Sequence, residues 1–172
     1  METTTSRCEV CCGWGRAMKR CTRKIGPFDC CTVLLGDCEK YLRRIPQGAI
    51  DLVVTDAPYG MEYKSKRKEH HRIHGDDCFP VETIKRLIKI PRLGSYFFAR
   101  WDNLWDHGTL PKPKSVVTWL KPSGGAGDCE HEHGRAYEMI LFYPAVPNHR
   151  FLGRPSDVLP SRKTGNLIEG LM

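Results

Sequence analysis

Five short runs of apolar, β-branched and aromatic residues recur along the chain, separated by stretches with more polar positions. The runs cover residues 32–36, 50–55, 95–99, 115–120 and 137–143. Near-continuous apolar runs of this length are typical of strands that are buried on both faces of a parallel sheet. We therefore predict five strands in this order.

Helical spacing of apolar residues occurs in two of the stretches between these runs. In residues 38–45, Leu42 and Ile45 lie about one helical turn apart. In residues 81–90, the apolar positions 81, 84, 87 and 88 fall on one face, with basic residues opposite. Strands that alternate with helices predict an α/β fold, here a mostly parallel sheet with helices on both faces.

Charged residues directly follow four of the predicted strands, namely Asp37, Asp56, Arg100 and Lys121. In open α/β sheets, ligands bind outside the carboxyl ends of the strands. Strand ends also become polar simply because they meet water, and we interpret Arg100 and Lys121 in that way. The two aspartates remain candidates for a functional site.

Length, charge and cysteine content indicate the number of domains, the class of partner and the division of the chain. The 172 residues suit one domain, and the formal net charge of +7 favours a polyanionic partner such as nucleic acid. Six of the nine cysteines lie in the first 31 residues, so we divide the chain into a cysteine-rich arm (1–31), a main part (32–160) and a polar tail (161–172). No apolar run is long enough for a bilayer span and the chain does not open with a hydrophobic leader, so we expect a soluble, cytoplasmic protein without a membrane partner.

The stretch VVTDAPYG, residues 53–60, places an acid, a proline and a ring at the end of a predicted strand. Pro58 favours an extended Ala57, whose carbonyl can then point outward beside the Asp56 carboxylate. These two acceptors suit the two hydrogens of a planar amino group, and the Tyr59 ring suits stacking with a nucleobase. Acceptors that hold such an amine stabilise positive charge on its nitrogen as it attacks an electrophilic methyl group. An Asp that caps a turn, with a Tyr packed at its rim, is the simpler alternative for an isolated motif.

With its surroundings, LLGDCEKYLRRIPQGAIDLVVTDAPYG, this stretch resembles the amino-methyltransferases of DNA, whose catalytic motif is Asp-Pro-Pro-Tyr or a close variant. GSYFFARWDNLW, SVVTWLKPSGGAGD and GRAYEMILFYP follow in the order of the group whose catalytic motif precedes its cofactor motif, and the resemblance covers residues 32–159. It implies a methyltransferase-like fold and transfer of a methyl group from S-adenosylmethionine to the exocyclic amine of adenine at specific DNA sites, as in DNA methylation by restriction-modification systems. It also implies catalytic roles for Asp56, Ala57, Pro58 and Tyr59, and contact between Asp37 and the adenosine part of the cofactor. Ala57 replaces the first proline of the family's motif.

The aromatic-x-Gly-x-Gly turn with which this family binds its cofactor is not found in the sequence. GWG at residues 13–15 has no strand pattern before it, and GGAG at residues 124–127 has no helix pattern after it. We therefore expect either a member truncated at its C-terminus, with an incomplete fold, or a cofactor pocket that a second polypeptide completes. A catalytically inactive DNA-binding fragment of the same family is the alternative function.

A dense basic run follows the catalytic motif and consists of Lys64, Lys66, Arg67, Lys68 and Arg72. We expect these side chains to contact DNA phosphates beside an extruded base. A solvated loop is the alternative interpretation of any such run of charges.

Cysteines in the arm offer a weak candidate metal site. Cys8 and Cys11 are separated by two residues, and Cys30 and Cys31 follow about twenty residues later, an arrangement that is similar to half of a zinc ribbon. Reduced thiols without metal are the simpler expectation. A zinc-dependent nucleic-acid-binding module is therefore a third functional hypothesis.

Overall fold

Two short helices and seven strands make up the regular structure of the computed structural model, which describes residues 24–30, 32–63, 73, 75–101, 110–121, 131, 133–134, 136–151, 153 and 155–160. The helices are α1 (Cys38–Leu42) and α2 (Val81–Lys89). The strands are β1 (Lys24–Ile25), β2 (Phe28–Asp29), β3 (Ile50–Thr55), β4 (Pro91–Ala99), β5 (Ser115–Leu120), β6 (Tyr137–Pro144) and β7 (Val158–Leu159).

Five of these strands form one mixed sheet in the order β3-β4-β6-β5-β7. The β3–β4 and β5–β7 pairs are parallel, whereas β6 is antiparallel to both of its neighbours. Four strands therefore run in one direction and β6 runs against them, so the prediction of a mostly parallel sheet is confirmed only in part. Because β3, β4 and β5 share a direction, their carboxyl ends meet at one edge of the sheet, where the amino end of β6 also lies.

The core lies between α2 and one face of the sheet. It consists of the buried residues Ile84, Phe97, Ala99, Leu141 and Tyr143, with Phe79, Leu87, Ile88 and Leu110 packed against them. The sequence favours this arrangement because the apolar residues of α2 recur at helical spacing, while alternate residues of β4 and β6 point to the same face. The core thus extends to the end of β4, because Ala99, the last residue of that strand, belongs to it.

The opposite face of the sheet carries aromatic residues but no helix among the described residues. Tyr96 stacks on Phe142 with ring centroids 4.7 Å apart, and Phe151 lies 5.5 Å from Phe142. On β3, Leu52 and Val54 are 45% and 62% exposed. Helices on both faces are therefore not seen in this part of the chain, where α1 instead contacts α2 through a hydrogen bond from the Thr83 hydroxyl to Glu39. Neither helix has the length and apolar character that a bilayer span requires.

The first predicted strand, residues 32–36, is not a strand of the sheet. Val33 and Leu35 are 65% and 89% exposed. Backbone carbonyls in and next to this segment accept hydrogen bonds from side chains close by in the sequence. The Tyr41 hydroxyl donates to the Leu35 carbonyl at 2.6 Å, and the Thr32 hydroxyl donates to the Asp29 carbonyl at 2.7 Å. Within this segment only Thr32 has a bridge-type backbone pairing, and an apolar run becomes a strand only where pairing continues along it.

Part of the cysteine-rich arm packs on the main part of the chain. β1 and β2 form a hairpin, and the Phe28 ring meets the Tyr41 ring edge-on at 5.8 Å between centroids. The Arg44 guanidinium lies 5.1 Å from the centre of the same Phe28 ring. Residues 24–29 therefore cover α1 and the turn that follows it.

Candidate functional site

The segment after β3 brings together the carboxylate and the ring that the sequence singles out. Asp56 is exposed, whereas Ala57, Pro58 and Tyr59 are partly buried. The Tyr59 hydroxyl donates a hydrogen bond of 2.5 Å to Asp56 Oδ1. This contact between the two residues is not predicted by the sequence, and it fixes the ring relative to the acid.

A pocket opens beside the Tyr59 ring and extends toward the core. Ala57 and Tyr59 lie at one side of it, and Phe79, Phe98 and Leu110 contribute to its apolar wall. Its cavity volume is about 10 Å³, room for about one water molecule, and it opens to solvent. A cavity of this size does not enclose a nucleobase, and its apolar lining is continuous with the core.

Tyr59 is held as a neutral phenol. Burial of the phenol, the hydrogen bond to Asp56 and the negative charges of Asp56 and Glu138 raise the pKa of Tyr59, and the nearby Arg100 opposes them only in part. The pKa therefore lies well above its usual value of about 10. Tyr59 consequently donates to Asp56 throughout the physiological pH range and does not serve as a base.

Charged side chains from the neighbouring strands surround Tyr59. Arg100 follows β4, and its Nη1 atom lies 2.7 Å from Met61 Sδ. Lys121 follows β5 and forms an ion pair with Glu138 on β6. Although the sequence is consistent with solvated strand ends at Arg100 and Lys121, the mixed sheet brings both to the edge where Asp56 lies.

A buried carboxylate, Asp76, holds the segment that follows Tyr59. Its Oδ1 atom accepts the backbone N–H of Gly60 at 2.8 Å and that of Met61 at 3.3 Å, and Oδ2 accepts that of Tyr63 at 2.9 Å. The side chain is almost fully buried, since the residue is only 3% exposed. Nothing in the sequence marks Asp76, because its partners are backbone groups that carry no residue-specific pattern and lie 13 to 16 residues earlier in the chain.

Ionisation of Asp76 is coupled to folding. Burial on its own would raise the pKa of Asp76, but the backbone N–H groups of Tyr63, Met61, Gly60 and Tyr59 lower it to below its usual range. A carboxylate with a depressed pKa contributes stability above the pKa of the unfolded chain, about 3.9, and this contribution is lost as the pH falls through the folded-state pKa.

We expect Asp76→Asn to destabilise the protein at pH 7 by about 1–3 kcal/mol, because the amide leaves at least one buried N–H without an acceptor. The difference between wild type and variant should shrink as the pH falls below about 4, where Asp76 of the unfolded chain takes up a proton, and through the lower pKa of folded Asp76. Urea denaturation at pH 7 and at stepwise lower pH measures both quantities. A difference that is the same at every pH would contradict the assigned ionisation.

Gly60 allows this segment to approach residues 78–79. Its φ is +71°, and a Cβ atom at this position would lie 2.5 Å from the Phe79 nitrogen and 2.8 Å from the Cys78 carbonyl carbon. Gly48 provides a comparison, because its φ is +75° but a Cβ there would meet nothing within 4 Å. The two glycines therefore share a backbone conformation and differ in the space around them.

We expect Gly48→Ala to cost about 1–2 kcal/mol for the left-handed conformation alone. Gly60→Ala should cost about 1–3 kcal/mol more, since backbone atoms rather than a flexible side chain would have to shift. The free energies of unfolding of the two variants give the comparison. Equal losses would mean that the segment moves away from residues 78–79 without penalty.

Asp37 has a local role in the structure. It is exposed and precedes α1, where its Oδ1 atom accepts the Glu39 N–H at 2.9 Å as the helix N-cap. Because residues 32–36 are not a strand of the sheet, Asp37 does not follow one of its carboxyl ends. Contact with a cofactor stays a prediction for this residue.

Several predicted site residues lie outside the described residues. They are the basic residues Lys64, Lys66, Arg67, Lys68 and Arg72, and the cysteines Cys8, Cys11 and Cys31. Cys30 is described and is partly exposed. Among the described residues, no group of three or more His, Cys, Asp or Glu side chains could hold a metal ion.

Comparison with known proteins finds similarity among the solved structures. No protein-family model and no curated protein matches the chain. Among the solved structures that match is a crystal structure of the M1.HpyAVI–SAM complex, with 14% sequence identity and a TM-score of 0.37. The match covers 73% of this chain and 61% of that chain. This chain thus spans less than two thirds of the structure it is similar to, and similarity at this level assigns neither fold nor function.

Proposed function

We propose that this chain is a site-specific DNA methyltransferase that uses S-adenosylmethionine and methylates the exocyclic amine of adenine. The observation that carries the proposal is the joint placement of Asp56 and Tyr59 at the end of β3, linked by a hydrogen bond of 2.5 Å beside an apolar pocket. The resemblance of VVTDAPYG and its surroundings to the family's motif supports the same assignment. A place in restriction-modification and a cytoplasmic location belong to this proposal.

In the proposed mechanism, Asp56 and Ala57 hold the target amine. A carboxylate has two oxygens with about four acceptor sites, so Asp56 can bind an amine hydrogen while it also accepts from Tyr59. The Ala57 carbonyl is proposed as the second acceptor, with Pro58 keeping that residue extended. Together they orient the nitrogen lone pair and stabilise the positive charge that grows on nitrogen.

Tyr59 serves as the stacking platform for the base in this proposal. The base must leave the duplex to reach Asp56 and Tyr59, and stacking on an aromatic side chain offsets about 1–3 kcal/mol of that cost. The Tyr59 ring is partly buried and is tied to Asp56, so it does not have to be ordered when the base arrives.

The described residues provide acceptors for the target amine of the base, but only Asp37 among them is proposed to contact the cofactor. S-adenosylmethionine, when bound, would supply the electrophilic methyl group by breaking its methyl–sulfur bond and leaving as the neutral thioether, and the methylated nitrogen would release one proton to solvent. Asp37 is the residue proposed to contact its adenosine part, and one of its oxygens already caps α1. We therefore include in the proposal a second polypeptide that completes the cofactor pocket.

The side of β3 that faces away from β4 supports the proposal of a second polypeptide. β3 is the terminal strand of the described sheet, and Leu52 and Val54 on it are largely exposed. An added strand at that edge would cover apolar side chains and would lie next to Asp56. Titration of S-adenosylmethionine into the purified chain tests the need for a partner, because micromolar binding by the chain alone would remove it.

DNA is the proposed substrate, and the basic residues Lys64, Lys66, Arg67, Lys68 and Arg72 are proposed to contact its phosphates. The net charge of +7 supports a polyanionic partner. Binding through several phosphate contacts should weaken steeply as salt is raised.

Transfer of a labelled methyl group from S-adenosylmethionine to duplex DNA tests the proposed activity. Digestion of the product to nucleosides identifies the methylated base, and label on cytosine would refute the adenine assignment. DNA binding without transfer, with the cofactor in excess and both with and without an extract that could supply a second polypeptide, would favour the inactive DNA-binding fragment. Stoichiometric zinc in protein purified without chelator, together with loss of DNA binding when it is removed, would favour the zinc module.

A further inference from the structure

We infer that Asp76 is a positioning residue of the Asp56–Tyr59 site: its carboxylate sets the backbone of residues 60–63 and thereby the placement of the Tyr59 ring. This inference deepens the proposed function and rests on it. It assigns a role to a residue that lies outside the catalytic motif and that the mechanism above does not use.

The contacts of Asp76 are directed at the turn that leaves the site. Both carboxylate oxygens accept backbone N–H groups of residues 60–63, and the Asp76 carbonyl oxygen accepts the Glu62 N–H at 2.7 Å. One residue therefore binds the four consecutive N–H groups of residues 60–63, and the Tyr59 N–H also lowers the pKa of its carboxyl group. Hydrogen bonds to an ionised acceptor are stronger than those between neutral groups, and burial strengthens them further.

We call the Asp76 carboxylate, together with the backbone N–H groups of residues 60–63 that it binds, the clamp. Without this clamp, the turn would not keep its conformation. Gly60 and Glu62 have φ values of +71° and +50°, and the second is a left-handed conformation that residues other than glycine seldom adopt. A strained backbone of this kind persists only where its surroundings impose it, and such strain is found at binding and active sites. The Asp76 carboxylate is the group that imposes it here, since it binds the residues on both sides of Glu62.

The clamp acts on the site through Tyr59. The Tyr59 ring borders the pocket, its hydroxyl donates to Asp56, and its own backbone joins directly to Gly60. Met61, held by Asp76, also contacts the Arg100 guanidinium. Release of residues 60–63 would therefore let both the Tyr59 ring and the Arg100 guanidinium move more freely. It would do so without removing any group that touches substrate.

The experiment compares Asp76→Asn, Asp76→Glu and a matched control, Asp77→Asn, in the full chain. Asp77 is exposed and adjacent, so the control makes the same change in charge without touching the clamp. Three quantities are measured: hydrogen exchange of a peptide that covers residues 60–63, the rate of methyl transfer, and the dissociation constant for DNA. Circular dichroism at the assay temperature verifies that each variant is folded.

We expect Asp76→Asn to accelerate exchange in this peptide by at least about 10-fold, in line with the loss of charge-assisted hydrogen bonds. The transfer rate should fall about 10- to 100-fold while the dissociation constant for DNA changes less than about 2-fold, because misplacement of a catalytic group affects the rate more than ground-state binding. Asp76→Glu keeps the charge and the acceptor oxygens and should recover part of both effects. Asp77→Asn should behave as wild type.

The possible failures are distinguishable. Unchanged exchange in both Asp76 variants would overturn the clamp, whatever the activity. Faster exchange with transfer equal to that of Asp77→Asn would overturn the positioning role. Absence of transfer in the wild-type chain, with and without extracts that could supply a second polypeptide, would overturn the proposed function and with it the positioning role, while the exchange data would still decide whether the clamp exists.

Discussion

Asp56→Asn should lower the rate of methyl transfer by about 10²- to 10³-fold, the loss seen when a group that stabilises transition-state charge is removed. The asparagine oxygen can still accept the hydrogen bond that the Tyr59 hydroxyl donates to Asp56 Oδ1, so the ring should keep its place. What the variant loses is the negative charge, and its amide N–H₂ group would face the hydrogens of the target amine. Single-turnover transfer from labelled S-adenosylmethionine measures the effect under the conditions in which the wild type is active.

Asp157→Asn provides the control for that experiment, because Asp157 is exposed and lies just before β7, away from the end of β3. Affinity for DNA should be nearly the same in both variants, since Asp56 is proposed to bind the extruded amine and not the duplex. Turnover by Asp56→Asn at the wild-type rate would refute the role of the carboxylate. It would leave Asp56 as an exposed turn residue.

Two substitutions of Tyr59 should separate the ring from its hydroxyl. Tyr59→Ala removes the stacking surface and should weaken capture of the base by about 1–3 kcal/mol, or roughly 5- to 150-fold in transfer at low DNA concentration. Tyr59→Phe keeps the surface and loses only the hydrogen bond to Asp56, with a net effect of about 0.5–1.5 kcal/mol. The same transfer assay, combined with fluorescence of 2-aminopurine at the target position, distinguishes loss of chemistry from loss of base extrusion.

Fluorescence provides the sharper test of the two roles. An extruded 2-aminopurine that stacks on Tyr59 in the wild type should become brighter in Tyr59→Ala and stay quenched in Tyr59→Phe. Equal loss of transfer in the two variants would assign the role to the hydroxyl, and the ring would then be part of the wall of the core.

Strands with a strong local pattern are predictable from this sequence, and their partners are not. β3 and β5 begin and end at the predicted residues, 50–55 and 115–120, because β-branched apolar runs there stop at a charged residue. The apolar run at residues 32–36 is similar in composition, yet its side chains are exposed. What separates these cases is pairing with a neighbouring strand, a long-range property that a local pattern does not contain. The antiparallel direction of β6 cannot be predicted from the sequence for the same reason.

The candidate site is predictable only in its adjacent residues. Asp56, Ala57, Pro58 and Tyr59 are consecutive in the chain, so one motif identifies them together. Asp76 acts through backbone N–H groups, which every non-proline residue has, and leaves no pattern in the residues it binds. Glu138 reaches the edge at which Arg100 lies only because β6 runs antiparallel to β4. Side chains that a site acquires from sheet topology therefore require the structure.

The outer border of β3, with which no described strand pairs, has a consequence for the behaviour of the protein in solution. A terminal strand with exposed Leu52 and Val54 can pair with the same strand of another copy, which is the first step of many aggregation processes. Repulsion between copies of charge +7 opposes such encounters, and added salt screens this repulsion over distances beyond about 8–10 Å. Colloidal stability should thus decline as ionic strength rises, and a loss of soluble protein under those conditions would mimic weakened DNA binding unless light scattering is recorded alongside.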